Sequence, residues 1–91
     1  MNVRQLRTRG GNPAANQFVI NTHDGQFFQS YNTMIASKNW NGDVQLRDGY
    51  WDNYSATTNY YLNQFLGTSG IAEIRDRVEN DGQWTVVGVI E

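Results

Sequence analysis

The chain reads as an α+β domain: a mainly antiparallel sheet of two hairpins plus a C-terminal strand, with two helices packed on one face. Three observations predict this. Two strand-like runs, Gln17–His23 and Gln26–Tyr31, flank Asp24-Gly25, a dipeptide that favours tight hairpins. A run from residue 56 to 66 has helical spacing, with Ser55 before it and Gly67 after it. A last run, residues 84–90, is apolar on both faces in the way a covered strand is.

The elements follow in chain order. Val3 and Leu6 do not alternate cleanly, so a short first strand is possible but not demanded. Gly10-Gly11-Asn12-Pro13 interrupts any regular element, which makes residues 1–16 a short strand and a flexible arm. In the first hairpin a two-residue loop would pair His23 with Gln26 and set Phe28 opposite Asn21. A three-residue loop, His23-Asp24-Gly25, pairs Thr22 with Gln26 and sets Ile20 opposite Phe28 and Phe18 opposite Ser30. The second register gathers Phe18, Ile20 and Phe28 on one face, so burial favours it.

Thr33–Ser37 and Val44–Arg47 form the second hairpin, bending at Asn41-Gly42. Within residues 56–66, Thr58, Tyr61, Leu62, Phe65 and Leu66 share one face. Thr68 or Ser69 caps a second helix over residues 70–79. Ile71, Ile74 and Val78 are its apolar stripe, and Glu73–Arg77 and Arg75–Glu79 are its spaced ion pairs. The expected core is Phe18, Ile20, Phe28, Ile35, Tyr61, Leu62, Phe65, Ile74 and Trp84, with Trp51 beside them. The 84–90 strand is expected at the centre of the sheet, and the whole chain, 1–91, as a single domain.

Composition narrows the chemistry. The chain has no cysteine, which removes thiol nucleophiles, disulfides and Cys-ligated metal. Its one histidine, His23, sits at a hairpin corner beside Asp24, and a solvated turn residue is the simpler reading than a catalytic base. Asp43, Asp48 and Asp52 lie in loops but lack the alternating spacing of a calcium loop. Phosphate-loop and dinucleotide fingerprints are missing. No catalytic residue, metal or cofactor is therefore expected. No apolar run reaches the ~20 residues of a membrane span, and the first residues do not read as a secretory signal. A cytoplasmic protein with no membrane partner is therefore the default expectation. The net charge of −2, with both signs mixed along the chain, argues against a general polyanion binder.

What remains is an aromatic surplus and a basic start. Trp40, Tyr50, Trp51, Tyr54, Tyr60 and Tyr61 are more large aromatics than one small core needs. Trp51 and Tyr61 suit the core. Trp40, Tyr50, Tyr54 and Tyr60 are the candidate protein-binding residues, since exposed Tyr and Trp are common interface anchors. Arg4, Arg7 and Arg9 precede Gly10-Gly11 and are the candidates for an alternative, nucleic-acid-binding role, with Lys38 and Arg47 as further cations.

One longer pattern adds context. Phe28-Gln29-Ser30-Tyr31, Met34-Ile35-Ala36, Trp51-Asp52, Tyr54-Ser55, Thr57-Thr58, Tyr61-Leu62 and Phe65-Leu66 follow one another in fixed order. The pattern resembles a family of short uncharacterised proteins from bacteriophages, plasmids and other mobile elements, largely of Gram-positive bacteria. Asn53 is an inserted residue relative to it. The resemblance implies no catalytic residues. What it implies is context, a small accessory protein of a mobile element in a bacterial host cytoplasm. That context, together with the aromatic surplus and the missing catalytic sets, leads to the expectation of a protein that binds and blocks a host or defence protein, in the manner of an anti-CRISPR. The identity of the target and the oligomeric state are left open by it.

Overall fold

The computed structural model describes residues 1–52 and 55–90. The elements are β1 (Asn2–Arg7), β2 (Pro13–Asn21), β3 (Gly25–Ser30), β4 (Thr33–Asn39), β5 (Val44–Arg47), α1 (Ala56–Leu66), α2 (Ile71–Asn80) and β6 (Trp84–Val87). The fold is α+β, as expected. β1 to β5 form an antiparallel meander in sequence order, and β6 joins β5 in parallel at the far edge. The helix pair between β5 and β6 returns the chain to the end of the sheet where β5 starts, and a parallel pairing requires such a return. No helix among the described residues is long and apolar enough to cross a membrane.

The first strand is present: β1 pairs along β2, and Pro13–Asn16, placed in the expected arm, open β2. The β2–β3 register differs from both readings of the hairpin. Asn21 pairs with Gln26, Val19 with Phe28 and Ile20 with Phe27. The loop is His23-Asp24, closed by a hydrogen bond from the Thr22 amide to the Gly25 carbonyl at 2.8 Å. Gly25 thus belongs to β3. Its lack of a side chain serves β4: a Cβ there would lie 2.7 Å from the Asn39 Cα and against the Lys38 carbonyl oxygen.

This register divides the apolar residues between two faces. Val19, Phe28, Ala36 and Leu46 form one cross-strand row beneath the helices, all fully buried. Phe18 and Ile20, expected in the core, lie on the other face and are half-buried. Asn16, at φ 62°, shifts the phase of β2 so that Ala14 and Gln17 both point inward. An irregularity opposite Phe28/Gln29 does the same for Ile35 and Ala36.

α1 matches the expectation in full. Ser55 Oγ accepts from the Thr58 amide, Gly67 sits at φ 75°, and its amide reaches the Asn63 carbonyl. Thr58, Tyr61, Leu62 and Phe65 are buried, and Phe65 stacks on Phe28 at 5.8 Å between centroids. α2 is anchored by Ile74. Its N-cap is Gly70, not Thr68 or Ser69. The Ser69 hydroxyl instead donates to Glu73 at 2.9 Å, which takes Glu73 away from Arg77. The ion pair that closes among the described residues is Arg77–Asp81, at 3.5 Å.

The last strand is the main correction. It ends at Val87 and lies at the sheet edge, with Thr85 and Val86 exposed and Val89 beyond it 64% exposed. Apolar residues on both faces do not make a strand central when one face of the whole sheet is uncovered. Trp84 is half-buried against the core and the Arg77 guanidinium.

Candidate functional site

The expected site residues fall at two ends of the sheet. Trp40 follows β4, at the same end as the β2–β3 turn, and is 64% exposed. Its indole N–H donates to the His23 carbonyl at 2.9 Å, tying the two turns together. Tyr50 follows β5, at the opposite end, half-buried with the Arg47 guanidinium 4.5 Å from its ring centroid. Tyr60 lies on α1, half-buried, with Tyr61 edge-on at 5.1 Å. Tyr54 lies outside the described residues, as does the inserted Asn53. The three described aromatics, Trp40, Tyr50 and Tyr60, thus do not form one continuous surface.

The three arginines are placed by β1 and its turn. Arg4 pairs with Val19 and shares the helix side of the sheet. The backbone of Arg7 makes two bonds to the Gln64 side chain: its amide donates at 2.9 Å and its carbonyl accepts at 2.8 Å. That double bond fastens the end of β1 to α1. Arg9 sits in the turn held by Thr8 and Asn12 and lies over Tyr60, 4.7 Å from the ring centroid. The basic start of the chain and the aromatic helix therefore meet at one place.

That place is an open groove of ≈ 540 Å³ bounded by Arg9, Asn59, Tyr60, Asn63 and Thr68. Asn63 is already engaged with the Asn59 carbonyl and the Thr68 hydroxyl. Arg9 and Tyr60 face the groove as a cation and an aromatic plane, and Asn59 lines it with its Oδ1 buried. This set suits stacking and hydrogen bonding to a partner. A second depression, ≈ 350 Å³, lies at the other end, where Phe27 and Gln45 flank Ser37 beside Asp24 and Asp43.

Two of the other candidate cations, Lys38 and Arg47, have internal partners. Lys38 Nζ donates to the Phe65 carbonyl at 2.7 Å, at the C-terminal end of α1 where a cation is favoured, and lies 4.7 Å over the Phe65 ring. Burial pushes its pKa below the ordinary value, and the Arg4 charge adds to this. His23 is an exposed turn residue. Among the described residues no three His, Asp or Glu side chains converge on a common point.

Sequence reasoning found Arg9 and Tyr60 separately and missed their pairing, because no local signal joins a turn after β1 to the outer side of α1. Both helices on one face were expected; which residues line the uncovered face was missed, because that depends on the β2–β3 register.

A family model described as a family of unknown function (DUF8033) matches residues 1–82, which span β1 to β5 and both helices. Neither curated proteins nor solved structures give a match.

Proposed function

The chain belongs to the DUF8033 family, and we propose that this member acts by binding another protein, stoichiometrically and without turnover. The observation that carries the proposal is the Arg9–Tyr60 stack on an open groove. A guanidinium already seated on a tyrosine ring is a pre-ordered pair of the two residue types most enriched in interface hot spots, with Trp. Little side-chain entropy is left to lose on binding. The resemblance to accessory proteins of mobile elements gives the context: the bound protein is a host or defence protein, and inhibiting or modulating it is the activity. Trp40 and Tyr50 are secondary contacts, since they lie away from the groove.

The test is affinity capture from host lysate followed by mass spectrometry, with nuclease-treated and untreated samples side by side. The expected result is one protein at equal stoichiometry, retained after nuclease treatment and lost with Tyr60→Ala. Capture that disappears on nuclease treatment would overturn it.

One observation favours a second reading, a nucleic-acid-binding accessory protein. Before Asp24 the chain carries Arg4, Arg7 and Arg9 and no carboxylate. Arginine beside an aromatic plane is also the chemistry of single-strand binding. That reading requires affinity that falls steeply with salt.

A further inference from the structure

We infer that the uncovered face of the sheet is closed by a second copy of this chain, packed face to face about a twofold axis. The pairing register defines this face. One row crosses all six strands: Val3, Ile20, Phe27, Ser37, Gln45 and Thr85. Beside it runs a shorter row, Gln5, Phe18, Gln29 and Met34. Both helices lie on the opposite side, over Phe28 and Leu46. The molecule measures 34 × 29 × 20 Å, the depth of one sheet and one helix layer.

Two features select a copy of the chain over an unlike partner. The first is charge. The two rows themselves carry no charged residue, in a chain with 7 cationic and 9 acidic side chains. Asp24 and Asp43 border the face at the end of the β2–β3 turn, and Arg47, opposite Val87, borders it at the other end. A face acidic at one end and basic at the other is matched by its own copy turned end for end about a twofold. The second is hydrogen-bonding symmetry. The polar positions are Gln, Ser and Thr, each both donor and acceptor, so each is able to pair with its own kind across a twofold. Phe18, Ile20 and Phe27 are neighbours on β2 and β3, half-buried already, and would complete their burial against the same residues of the copy. The two longer extents of the molecule, 34 and 29 Å, leave room on this side for the ~800 Å² per partner of a standard interface. Two stacked sheets with aligned strands at ~10 Å spacing are the ordinary result. The Arg9–Tyr60 groove, on the helix layer, stays open in such a dimer.

Sedimentation equilibrium with light scattering tests this. The expected species has twice the 10.4 kDa chain mass, and Phe27→Lys weakens the association by about tenfold or more while the circular dichroism is kept. Should Phe27→Lys unfold, exposed positions decide. A Gln45→Lys/Thr85→Lys chain and a Gln45→Glu/Thr85→Glu chain should each dissociate, and their mixture should reassociate. A wild-type chain that stays monomeric up to millimolar concentration overturns the inference. So does a dimer that survives these variants, or one broken by Arg4→Pro at the β1 edge alone, which would mean pairing through strand edges.

Discussion

The guanidinium of Arg9 lies over the ring of Tyr60, 4.7 Å from its centroid, and so couples the turn after β1 to the outer side of α1. A partner that covers one residue must cover both. Arg9→Ala and Tyr60→Ala should each weaken partner binding, and the double variant should lose less than the sum of the two. A double-mutant cycle on the binding constant checks this, with a coupling of about 0.5–1 kcal/mol for an exposed pair. Strict additivity would show the two act on the partner independently.

Phe65 is 3% exposed, stacks on Phe28 and lies under the Lys38 ammonium. Phe65→Ala should cost about 3–5 kcal/mol. Out of a domain stability of roughly 5–15 kcal/mol, that is a large share. Calorimetry should show the melting temperature falling by more than about 10 °C. A shift of a degree or two would contradict the burial.

Lys38 gives a pH dependence whose sign is fixed. Burial, then the Arg4 charge, lowers its folded pKa from 10.5, so between the folded value and 10.5 the unfolded chain holds a proton that the native state has released. Stability gains with rising pH across that window, and below it the full cost of keeping the ammonium half-buried persists. Lys38→Met has no such group. Urea unfolding of both proteins from neutral pH to about 10 should show the wild type gaining relative to Lys38→Met. Parallel curves would mean Lys38 keeps its ordinary pKa.

The outcomes above rest on parts of the fold that differ in how far the chain announces them. α1 was readable to the residue because its signals are local: Ser55 at the start, helical spacing through Phe65, Gly67 at the stop. The β2–β3 register was not. Phe18, Val19 and Ile20 are consecutive and apolar, so sliding the strand by one residue buries a comparable set. The deciding constraint is Gly25, whose missing side chain makes room for β4, a contact no hairpin rule contains. The edge position of β6 depends on its pairing with β5 rather than between two other strands, which is again long-range. The candidate site was legible as residue types and not as a place, because Arg9 and Tyr60 meet where the Arg7–Gln64 bonds fasten β1 to α1, a contact far apart in the chain.

Gly25→Ala tests that constraint directly. The added Cβ would meet the Lys38 carbonyl oxygen and lie 2.7 Å from the Asn39 Cα, both backbone, so the strands must separate. Strain of this kind costs about 1–3 kcal/mol or more. Exchange of the amides in β3 and β4 should quicken while α1 stays protected. Unchanged exchange in both strands would show that Gly25 is not required for their approach.

Trp40 separates a structural from a binding role most sharply. Its ring is 64% exposed, yet its N–H is held by the His23 carbonyl at 2.9 Å. Trp40→Phe removes the bond and keeps an aromatic face. It should cost about 0.5–1.5 kcal/mol of stability, as the net loss of one hydrogen bond. Trp40→Ala also removes the face. If Trp40 is a binding anchor, that variant should lose about 2 kcal/mol or more of affinity, roughly thirtyfold, with Trp40→Phe retaining most of it. Titration calorimetry and thermal melting on the same samples decide between the roles. Equal binding by wild type and Trp40→Ala, with a lowered melting temperature, would assign Trp40 to holding the two turns together. The partner surface would then rest on Arg9 and Tyr60.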